Sequence, residues 1–557
     1  MRGITRRQKI FVQWLNGKKK HIHGGDHKAS CFLLSTFHVG VMKKGMKKKI
    51  KPEAHSLFSG KDLQNMERLR LNLNDVKRQL TLHRKGSLFL KLNRPCTDHD
   101  GIVSFSPARR RELISFYERE SCKYDIIKFV PASGAASRMF SEWFSASEKG
   151  GFGSKALDRL FVANLKKFPF FDLIRQNDPG RKLLAEKDVG RLLKFILSSG
   201  GMNFGKRPKA LIPFHRYSAR EIRTPLEEHV CEAALYTLNR GVCHIHFTLS
   251  PGYKSGVARY LKKVIAGYEK RNRIRYNISL SVQSASTNTI AVDKNNLPFR
   301  DDQGRIVFRP GGHGALLKNL IHLDADFIFV RNIDNAAPET LWEKIIPHRK
   351  MLGGLAIRMQ EEIFSHIRKL KNNKPDVSQI RNIANFCSEQ LNIVFAEGFD
   401  RQPASEKIRT LLSCLNKPLR VCGMVRNENQ PGGGPFWVEE KDGTQTLQIV
   451  ESAHVDTKQT DQAAIWFAAE YFNPVDMVCC IRDYRGRVFD LSDYVNNDTY
   501  LITSKSEKGR QLKALEVPGL WNGSMAYWNT VFVKLPIVVF NPVKTVYDLL
   551  RPGHSVR

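Results

Sequence analysis

Apolar residues recur along the chain at two different spacings, and each spacing predicts a different kind of element. Between Lys61 and Lys85 the spacing is close to that of one helical face, which predicts a helix. From 276 to 282 apolar residues alternate with Asn and Ser, which predicts a strand with one buried face. Short apolar runs predict further strands at 126–130, 243–249, 327–330, 419–425, 446–450, 475–481 and 530–540, and residues 339–372 are expected to form a long helix.

The alternation of strands and helices predicts an α/β fold, with a mixed, mostly parallel sheet and helices on both faces. The chain has no run of about 20 apolar residues, the length needed to cross a bilayer, which excludes an integral membrane protein. Its 10 cysteines include no Cys-x-x-Cys pair. We therefore expect reduced, mostly buried thiols in a cytoplasmic protein.

The formal net charge of the chain is +36. Residues 1–52 are especially basic, with 14 Lys and Arg residues and a single acid, Asp26. A positive surface attracts polyanions, which include nucleic acids, nucleotides and sugar phosphates. We interpret residues 1–46 either as a disordered basic leader or as a misassigned start, with Met46 as the true first residue.

The first candidate site is a loop of small residues that follows the predicted strand 126–130. Small residues let backbone N–H groups approach an anion closely, and this loop is expected to open a helix whose N-terminus attracts negative charge. Arg138, which comes next, can bind phosphate oxygens in a forked geometry. The alternative is a tight turn capped by Ser137. The small residues are Ser133, Gly134, Ala135, Ala136 and Ser137.

The second candidate site surrounds a histidine with three glycines, just before a predicted helix at 315–323. Glycines suit close approach of the backbone to a ligand. The alternative is a flexible turn with a surface histidine. The residues are Gly311, Gly312, His313 and Gly314.

Two further candidate sites follow apolar runs. Asp334 comes after the predicted strand 327–330, between Asn332 and Asn335. Oxygen ligands at that position suit Mg²⁺, although Asp and Asn also favour a simple turn. Lys544 follows the run that ends at 540, where its charge could neutralise a phosphate or could simply be solvated.

Taken in order, these segments resemble motifs of the UDP-sugar pyrophosphorylases over about residues 121–557. That family has a glycine-rich loop, a glutamine after a later strand, a Gly-His-Gly run, an Asn-x-Asp-Asn box, a glutamate in a short strand and a Pro-Val-Lys segment. The similar segments here are 134–139, Val282-Gln283, 310–314, 332–335, 449–454 with its Glu451, and 540–550.

The resemblance implies a sheet of the nucleotide-diphospho-sugar transferase (GT-A-like) type and the partners nucleoside triphosphate and sugar 1-phosphate, with Mg²⁺ as cofactor. It implies that Arg138, Lys544 and His313 are the catalytic residues. Arg138 and the loop residues 133–137 would hold the triphosphate, Lys544 would bridge the phosphates, and His313 would lie near the nucleotide phosphate or ribose. Asp334 would hold Mg²⁺. Gln283 and Gly312 would lie against the base, Gly311 and Gly314 would also bind the nucleotide, and the sugar would lie against Glu451 and Asn335.

The chain is expected to consist of five parts. In chain order they are the leader, a helical N-terminal element, the nucleotide-binding core, a helical insertion and a C-terminal part that completes the site. Their expected bounds are 1–46, 47–120, 121–338, 339–415 and 416–557. The chain from about Met46 also resembles a bacterial family described only as a domain of unknown function, on segments 223–229 and 518–523.

The pyrophosphorylases carry a lysine soon after the loop, often after a proline, whereas here none occurs before Lys149. Either another basic residue such as Arg216 or Arg309 replaces it, or the protein binds nucleotide-sugars without making them. A glycosyltransferase and a nucleic-acid-binding protein also stay open as functions. A glycosyltransferase would use an Asp-x-Asp motif, and 324–326 has that form but precedes its strand. A basic nucleic-acid-binding protein is less favoured, because no motif of interleaved aromatic and basic residues is present.

Overall fold

The computed structural model describes residues 57–372, 375–428 and 432–556, so the predicted leader at 1–46 lies outside the described residues. Twenty strands occur in the described residues. In chain order they are β1 Lys91–Pro95, β2 Thr97–Asp98, β3 Gly101–Val103, β4 Ile126–Pro131, β5 His215–Arg216, β6 Ile222–Arg223, β7 Leu238–Asn239, β8 Val242–Leu249, β9 Arg275–Val282, β10 Asn288–Ile290, β11 Phe308–Pro310, β12 Phe327–Arg331, β13 Leu419–Arg426, β14 Gly434–Glu439, β15 Gln445–Val450, β16 Tyr471–Phe472, β17 Asp476–Cys480, β18 Leu501–Glu507, β19 Arg510–Glu516 and β20 Asn529–Lys534.

Fifteen α-helices occur in the same described ranges. They are α1 Gly60–Arg68, α2 Leu73–Lys85, α3 Pro107–Glu120, α4 Ser141–Glu148, α5 Lys155–Leu165, α6 Phe171–Gln176, α7 Asp178–Glu186, α8 Val189–Leu197, α9 Pro225–Ala233, α10 Lys254–Asn272, α11 Leu317–Ile321, α12 Trp342–Asn372, α13 Val377–Gln390, α14 Ala404–Leu415 and α15 Thr460–Phe467.

The central sheet has the strand order β9-β8-β4-β12-β17-β13-β20-β3-β2, with β7 beside β8 and β16 beside β13. Along this order only β17 runs antiparallel to its neighbours. The predicted mixed, mostly parallel α/β sheet is therefore confirmed. Because β9, β8, β4 and β12 are parallel, their carboxyl ends share one edge of the sheet.

Apolar layers cover both faces of the sheet. Leu316 and Leu320 pack with Phe129 and Ile328 on one face. On the other face α3 and α12 approach each other so closely that a side chain at Gly354 would meet the Leu113 carbonyl at 2.2 Å. The long helix predicted at 339–372 is confirmed, because α12 covers Trp342–Asn372 and follows directly on a 3₁₀ turn over Glu339–Leu341.

Three predictions differ from the structure. The N-terminal element at 47–120 is not wholly helical, because β1 to β3 lie within it and β3 joins the central sheet. The predicted helix 61–85 is two helices, since Asn72 caps α2 with its side chain on the N–H of Asn74. The strand expected at 530–540 ends at Lys534, two residues before Pro536.

A block of helices, α4 to α8, separates the small-residue loop from the next part of the sheet and was not predicted. Trp143 lies at its centre, edge-on to Phe161, Phe168 and Phe170.

None of the helices in the described ranges is long and apolar enough to cross a membrane. The nine cysteines in those ranges are free thiols.

Candidate active site

Asp334 lies just beyond the end of β12, between two lysines that come from distant parts of the chain. The Lys209 ammonium is 2.9 Å from its Oδ1, and the Lys544 ammonium is 3.2 Å from its Oδ2. Although burial raises the pKa of the Asp334 carboxyl, the two positive charges outweigh this effect and lower the pKa below its usual value. Asp334 therefore stays ionised at neutral pH.

Backbone hydrogen bonds fix the segment that carries Lys544 against the turn that carries Asp334. The Val543 N–H donates to the Asp334 carbonyl at 3.0 Å. The N–H groups of Lys544 and Thr545 both donate to Asp548 Oδ2, each at 2.7 Å. Pro542 restricts the backbone directly before this contact. The position of Lys544 is therefore determined by the fold, while its side chain keeps 47% of its surface exposed.

Asn335 has a structural role here, which corrects its assignment to a sugar contact. Its Oδ1 accepts from the Asn541 N–H at 2.8 Å, and its Nδ2 donates to the Val539 carbonyl at 3.2 Å. Only 2% of the residue is exposed. Because the buried side-chain amide both accepts and donates a hydrogen bond, it joins the turn after β12 to the Lys544 segment.

The small-residue loop lies beside both lysines. Lys209 donates its backbone N–H to the Gly134 carbonyl at 3.0 Å, and Val546 donates to the Met139 carbonyl at 3.0 Å. The loop forms one 3₁₀ turn over Ala136–Arg138, and α4 begins only at Ser141. The expectation that the loop opens a helix directly is therefore wrong.

The surface of this loop is open to a ligand. Gly134, Ala135, Ser137 and Arg138 are exposed, Ser133 is half-buried, and only Ala136 is buried. The Ala136 N–H is already bonded to the Arg207 carbonyl at 3.1 Å. A side chain added at Gly134 would meet nothing within 4 Å. The exposed loop residues lie beside the two lysines, and we call this set the cationic cluster (Gly134, Ala135, Ser137, Arg138, Lys209, Asp334 and Lys544).

Lys209 is the residue that sequence reasoning missed. Arg216 instead pairs with Asp172 at 3.2 Å, and Arg309 pairs with Glu507 at 2.8 Å, so neither of the suggested replacements contacts Asp334. The available signal was that Lys209 follows Pro208, as the lysine of the pyrophosphorylases often follows a proline. The helices α4 to α8 lie between the loop and this Pro-Lys pair.

A second group of predicted residues surrounds His313. The Leu520 N–H donates to His313 Nδ1 at 3.1 Å, so the ring proton of the neutral histidine is on Nε2. Trp521 stacks on the ring, with centroids 4.4 Å apart. Burial lowers the pKa of His313, which favours this neutral form. A side chain at Gly314 would meet the Pro518 carbonyl oxygen at 1.9 Å, so this glycine is needed for the close approach of the two segments.

Glu451 belongs to this second group. Asn522 donates its Nδ2 to Glu451 Oε1 at 2.6 Å. Asn522 and Trp521 both lie in the segment 518–523, whose residues indicated a family resemblance but no chemistry. We call His313, Glu451, Trp521 and Asn522 the ring face.

Gln283 lies next to the ring face, at the end of β9. Its Nε2 donates to Thr287 Oγ1 at 3.4 Å. A side chain at Gly311 would meet the Thr287 carbonyl oxygen at 2.7 Å, which shows how close the two turns lie. Gly312 takes a positive φ of 78° between them. The predicted site residues are therefore collected in two groups, one around Asp334 and one around His313.

The Asp-x-Asp segment lies elsewhere. Asp324 and Asp326 both pair with Arg482, and the Asp125 N–H donates to Asp326 Oδ2. They precede β12, so they lie at its amino end, whereas Asp334 lies at its carboxyl end.

The arrangement defines an α/β protein in which a carboxylate between two lysines lies at the carboxyl edge of the parallel strands. The family described as "Domain of unknown function (DUF4301)" matches residues 59–555, and the chain belongs to this family. No curated protein matches the chain.

Several solved structures are similar to the chain at low identity. The UDP-N-acetylglucosamine pyrophosphorylase from Trypanosoma brucei, in complex with an inhibitor, is 12% identical with a TM-score of 0.45, over 86% of this chain and 74% of that one. A mutant UDP-glucose pyrophosphorylase from Leishmania major, in complex with UDP-glucose, is 12% identical with a TM-score of 0.41, over 88% and 77%.

Proposed function

We propose that the protein is a sugar nucleotidyltransferase, which converts an NTP, with UTP as the expected substrate, and a sugar 1-phosphate into an NDP-sugar and pyrophosphate. The observation that carries the proposal is the position of Asp334, ionised between Lys209 and Lys544 beside an exposed loop of small residues. In the reaction a sugar-phosphate oxygen forms a bond to the α-phosphorus, and the bond from that phosphorus to the β-phosphate oxygen breaks.

This chemistry requires positive charge and positioning rather than a nucleophilic side chain. The transferred group and both of its partners are phosphates, so negative charge accumulates around the α-phosphorus. The cationic cluster offers Lys209, Lys544 and the exposed Arg138. Together with the open backbone of Gly134 and Ala135, they suit a triphosphate.

The two lysines are suited to different tasks. Lys209 is 8% exposed, and burial lowers its pKa below the usual value although the Asp334 carboxylate opposes this effect. Its buried ammonium is held in place by the contact with Asp334 Oδ1 at 2.9 Å. Lys544, whose side chain is about half exposed, can turn from Asp334 to a phosphate oxygen without being dehydrated first.

The residues present fit a magnesium ion that is held largely by its nucleotide. Within the described ranges, no group of three or more His, Cys, Asp or Glu side chains could hold a metal alone. Nucleotide-bound Mg²⁺ usually takes only one or two protein carboxylates, with phosphate oxygens and water as the other ligands. Asp334 supplies such a carboxylate, and the ion would neutralise phosphate charge when bound.

The ring face suits the remaining parts of a nucleotide-sugar. Trp521 and His313 present stacked aromatic rings, and such surfaces bind bases and sugar rings. Glu451 can accept hydrogen bonds from sugar hydroxyls. A glycosyltransferase activity is less well supported, because Asp324 and Asp326 lie at the amino end of β12.

Binding and turnover test the proposal in sequence. The full chain is mixed with UTP, ATP, CTP or GTP, or with their NDP-sugars, each with Mg²⁺, and its melting temperature is measured. One nucleotide and its NDP-sugar should raise it. Exchange of labelled pyrophosphate into the matching NTP should then require the NDP-sugar. If no nucleotide shifts the melting temperature and no exchange occurs, the proposal is wrong.

A further inference from the structure

The segments that carry Lys209 and Lys544 meet a second time, at a buried pair of histidines. His215, six residues after Lys209, has its Nε2 at 2.8 Å from Nδ1 of His554. The two rings are nearly parallel, at 17°, with centroids 5.1 Å apart. His215 is fully buried and His554 is 3% exposed. The chain therefore joins the two lysine segments both at Asp334 and at this histidine pair.

A carboxyl group completes the pair. Glu228 Oε1 lies 2.8 Å from His215 Nδ1 and accepts a second hydrogen bond from the Tyr217 hydroxyl at 2.9 Å. Glu228 is fully buried on α9, in the segment 223–229 whose sequence resemblance came without a chemical role. We call Glu228, His215 and His554 the relay.

With Glu228 as the acceptor, the relay has the following pattern of protons. Burial lowers the pKa of both histidines, so both are neutral. Glu228 Oε1 accepts from the His215 Nδ1–H, which leaves His215 Nε2 as an acceptor. His554 must then donate its Nδ1–H to His215. Burial raises the pKa of Glu228 to about 8, and a protonated Glu228 that donates from Oε1 would reverse both hydrogen bonds without changing the atoms that they join.

The His554 end of the relay is attached to the Lys544 segment by three contacts. The Gly553 carbonyl accepts from Asn541 Nδ2 at 2.6 Å. Arg551 pairs with Asp548 at 2.8 Å. The other oxygen of Asp548 accepts from the Lys544 N–H at 2.7 Å. These contacts connect the segment that carries His554 to the backbone of Lys544.

We infer that Glu228, His215 and His554 are positioning residues, which hold the Lys544 segment in register with the Lys209 segment so that both ammonium groups reach Asp334. The inference rests on the proposed function only for the reason why both ammonium groups need to lie at Asp334. Whether the three residues hold the Lys544 segment in place can be measured without substrate. The relay also gives the segment 223–229 a role, through Glu228.

The reactivity of the Lys544 amine tests the restraint. The full chain is treated briefly with an amine-acetylating reagent, and acetylation of Lys544 is read by mass spectrometry against Lys441, whose side chain is 93% exposed. His554→Ala removes the hydrogen-bond partner of His215 Nε2 and should raise Lys544 acetylation about tenfold, because one buried hydrogen bond fewer holds the Lys544 segment where its ammonium pairs with Asp334. Asp334→Asn removes the negative charge with which the Lys544 ammonium pairs. Acetylation of Lys544 in this variant gives the largest rise that loss of the ion pair can cause.

Two further variants separate positioning from general loss of stability. His554→Asn keeps a donor at the place of Nδ1 and should stay within about twofold of the unaltered protein. His83→Ala removes another buried histidine, one that binds the Ile290 carbonyl at 3.1 Å, and should leave Lys544 unchanged. If His554→Ala does not fold, His554→Gln, whose amide lies where Nε2 was, should take its place with the same expected rise.

The outcomes are distinct. Unchanged Lys544 acetylation in folded His554→Ala or His554→Gln, or an equal rise in His83→Ala, overturns the relay. A rise confined to the variants at 554 that lose the donor supports it. Nucleotide affinity is measured on the same samples. Absence of nucleotide binding in the unaltered protein would overturn the proposed function and leave the acetylation result standing.

Discussion

Arg331 on β12 and Asp476 on β17 face each other across the antiparallel pair at the centre of the sheet and form an ion pair in which each residue is 1% exposed. The guanidinium of Arg331 also donates to the Asn335 carbonyl at 3.2 Å. Asp476 lies near a second buried cation, Arg349, at 3.7 Å. The turn that carries Asp334 is therefore anchored in a buried network of charges.

Asp476→Ala should destabilise the protein strongly, because it leaves Arg331 and Arg349 charged and buried without this partner. We expect a loss of about 3–5 kcal/mol in the free energy of unfolding, measured by urea denaturation. Asp498→Ala is the matched control, since Asp498 pairs with Lys441 on the surface. That change should cost less than about 1 kcal/mol. Equal losses in the two variants would contradict the importance of the buried network.

The pH dependence of stability should reflect the lowered pKa of Asp334. A carboxyl whose pKa is lower in the folded chain than in the unfolded chain stabilises the folded state above its unfolded pKa, and this stabilisation disappears as the pH falls through the folded pKa. Between about pH 6 and pH 3, the unaltered protein should therefore lose more stability than Asp334→Asn. Parallel pH profiles from chemical denaturation would show that the lysines do not lower this pKa.

Lys544→Ala should reduce the rate of the proposed reaction more than it weakens nucleotide binding. Loss of one charge that acts on the phosphates is expected to lower kcat by about 10²- to 10³-fold, with KM changed much less. Arg216→Ala is the control, because Arg216 is paired with Asp172 away from Asp334. A change of the same size in both variants would remove Lys544 from its proposed role.

Substitution by alanine should have very different effects on stability at two glycines of the predicted sites. At Gly314 the new methyl group would lie 1.9 Å from the Pro518 carbonyl oxygen, whereas at Gly134 it would meet nothing within 4 Å. Gly314→Ala should therefore lower the free energy of unfolding by about 1–3 kcal/mol or more, and Gly134→Ala should leave it nearly unchanged. Thermal unfolding of the two variants checks this, and a stable Gly314→Ala protein would contradict the tight packing.

Apolar patterning predicted the sheet well because its central strands are buried on both faces. Residues 126–130, 243–249 and 327–330 were expected as strands, and β4, β8 and β12 occupy them with ends shifted by at most one residue. The N-terminal strands β1 to β3 were missed because they are short and carry few apolar residues.

The site was predicted where residues follow a strand directly or lie in a motif of the resemblance. Asp334 follows β12, and Lys544 lies in a motif whose order along the chain indicated a common site. Lys209 could not be found by spacing, because a helical block separates it from the loop it contacts. Asn335 has the residue type of a ligand, but only the three-dimensional packing reveals that its amide is used internally.

The distance along the chain between Asp334 and Lys544, 210 residues, has a consequence for biosynthesis. On the ribosome, β12 and Lys209 emerge long before Lys544 and His554 do. Lys209 is thus made before Asp334, but the second cation follows Asp334 by 210 residues, and the last member of the relay comes later still. Chains that terminate before residue 544 would retain most of the sheet and lack half of the charge around Asp334.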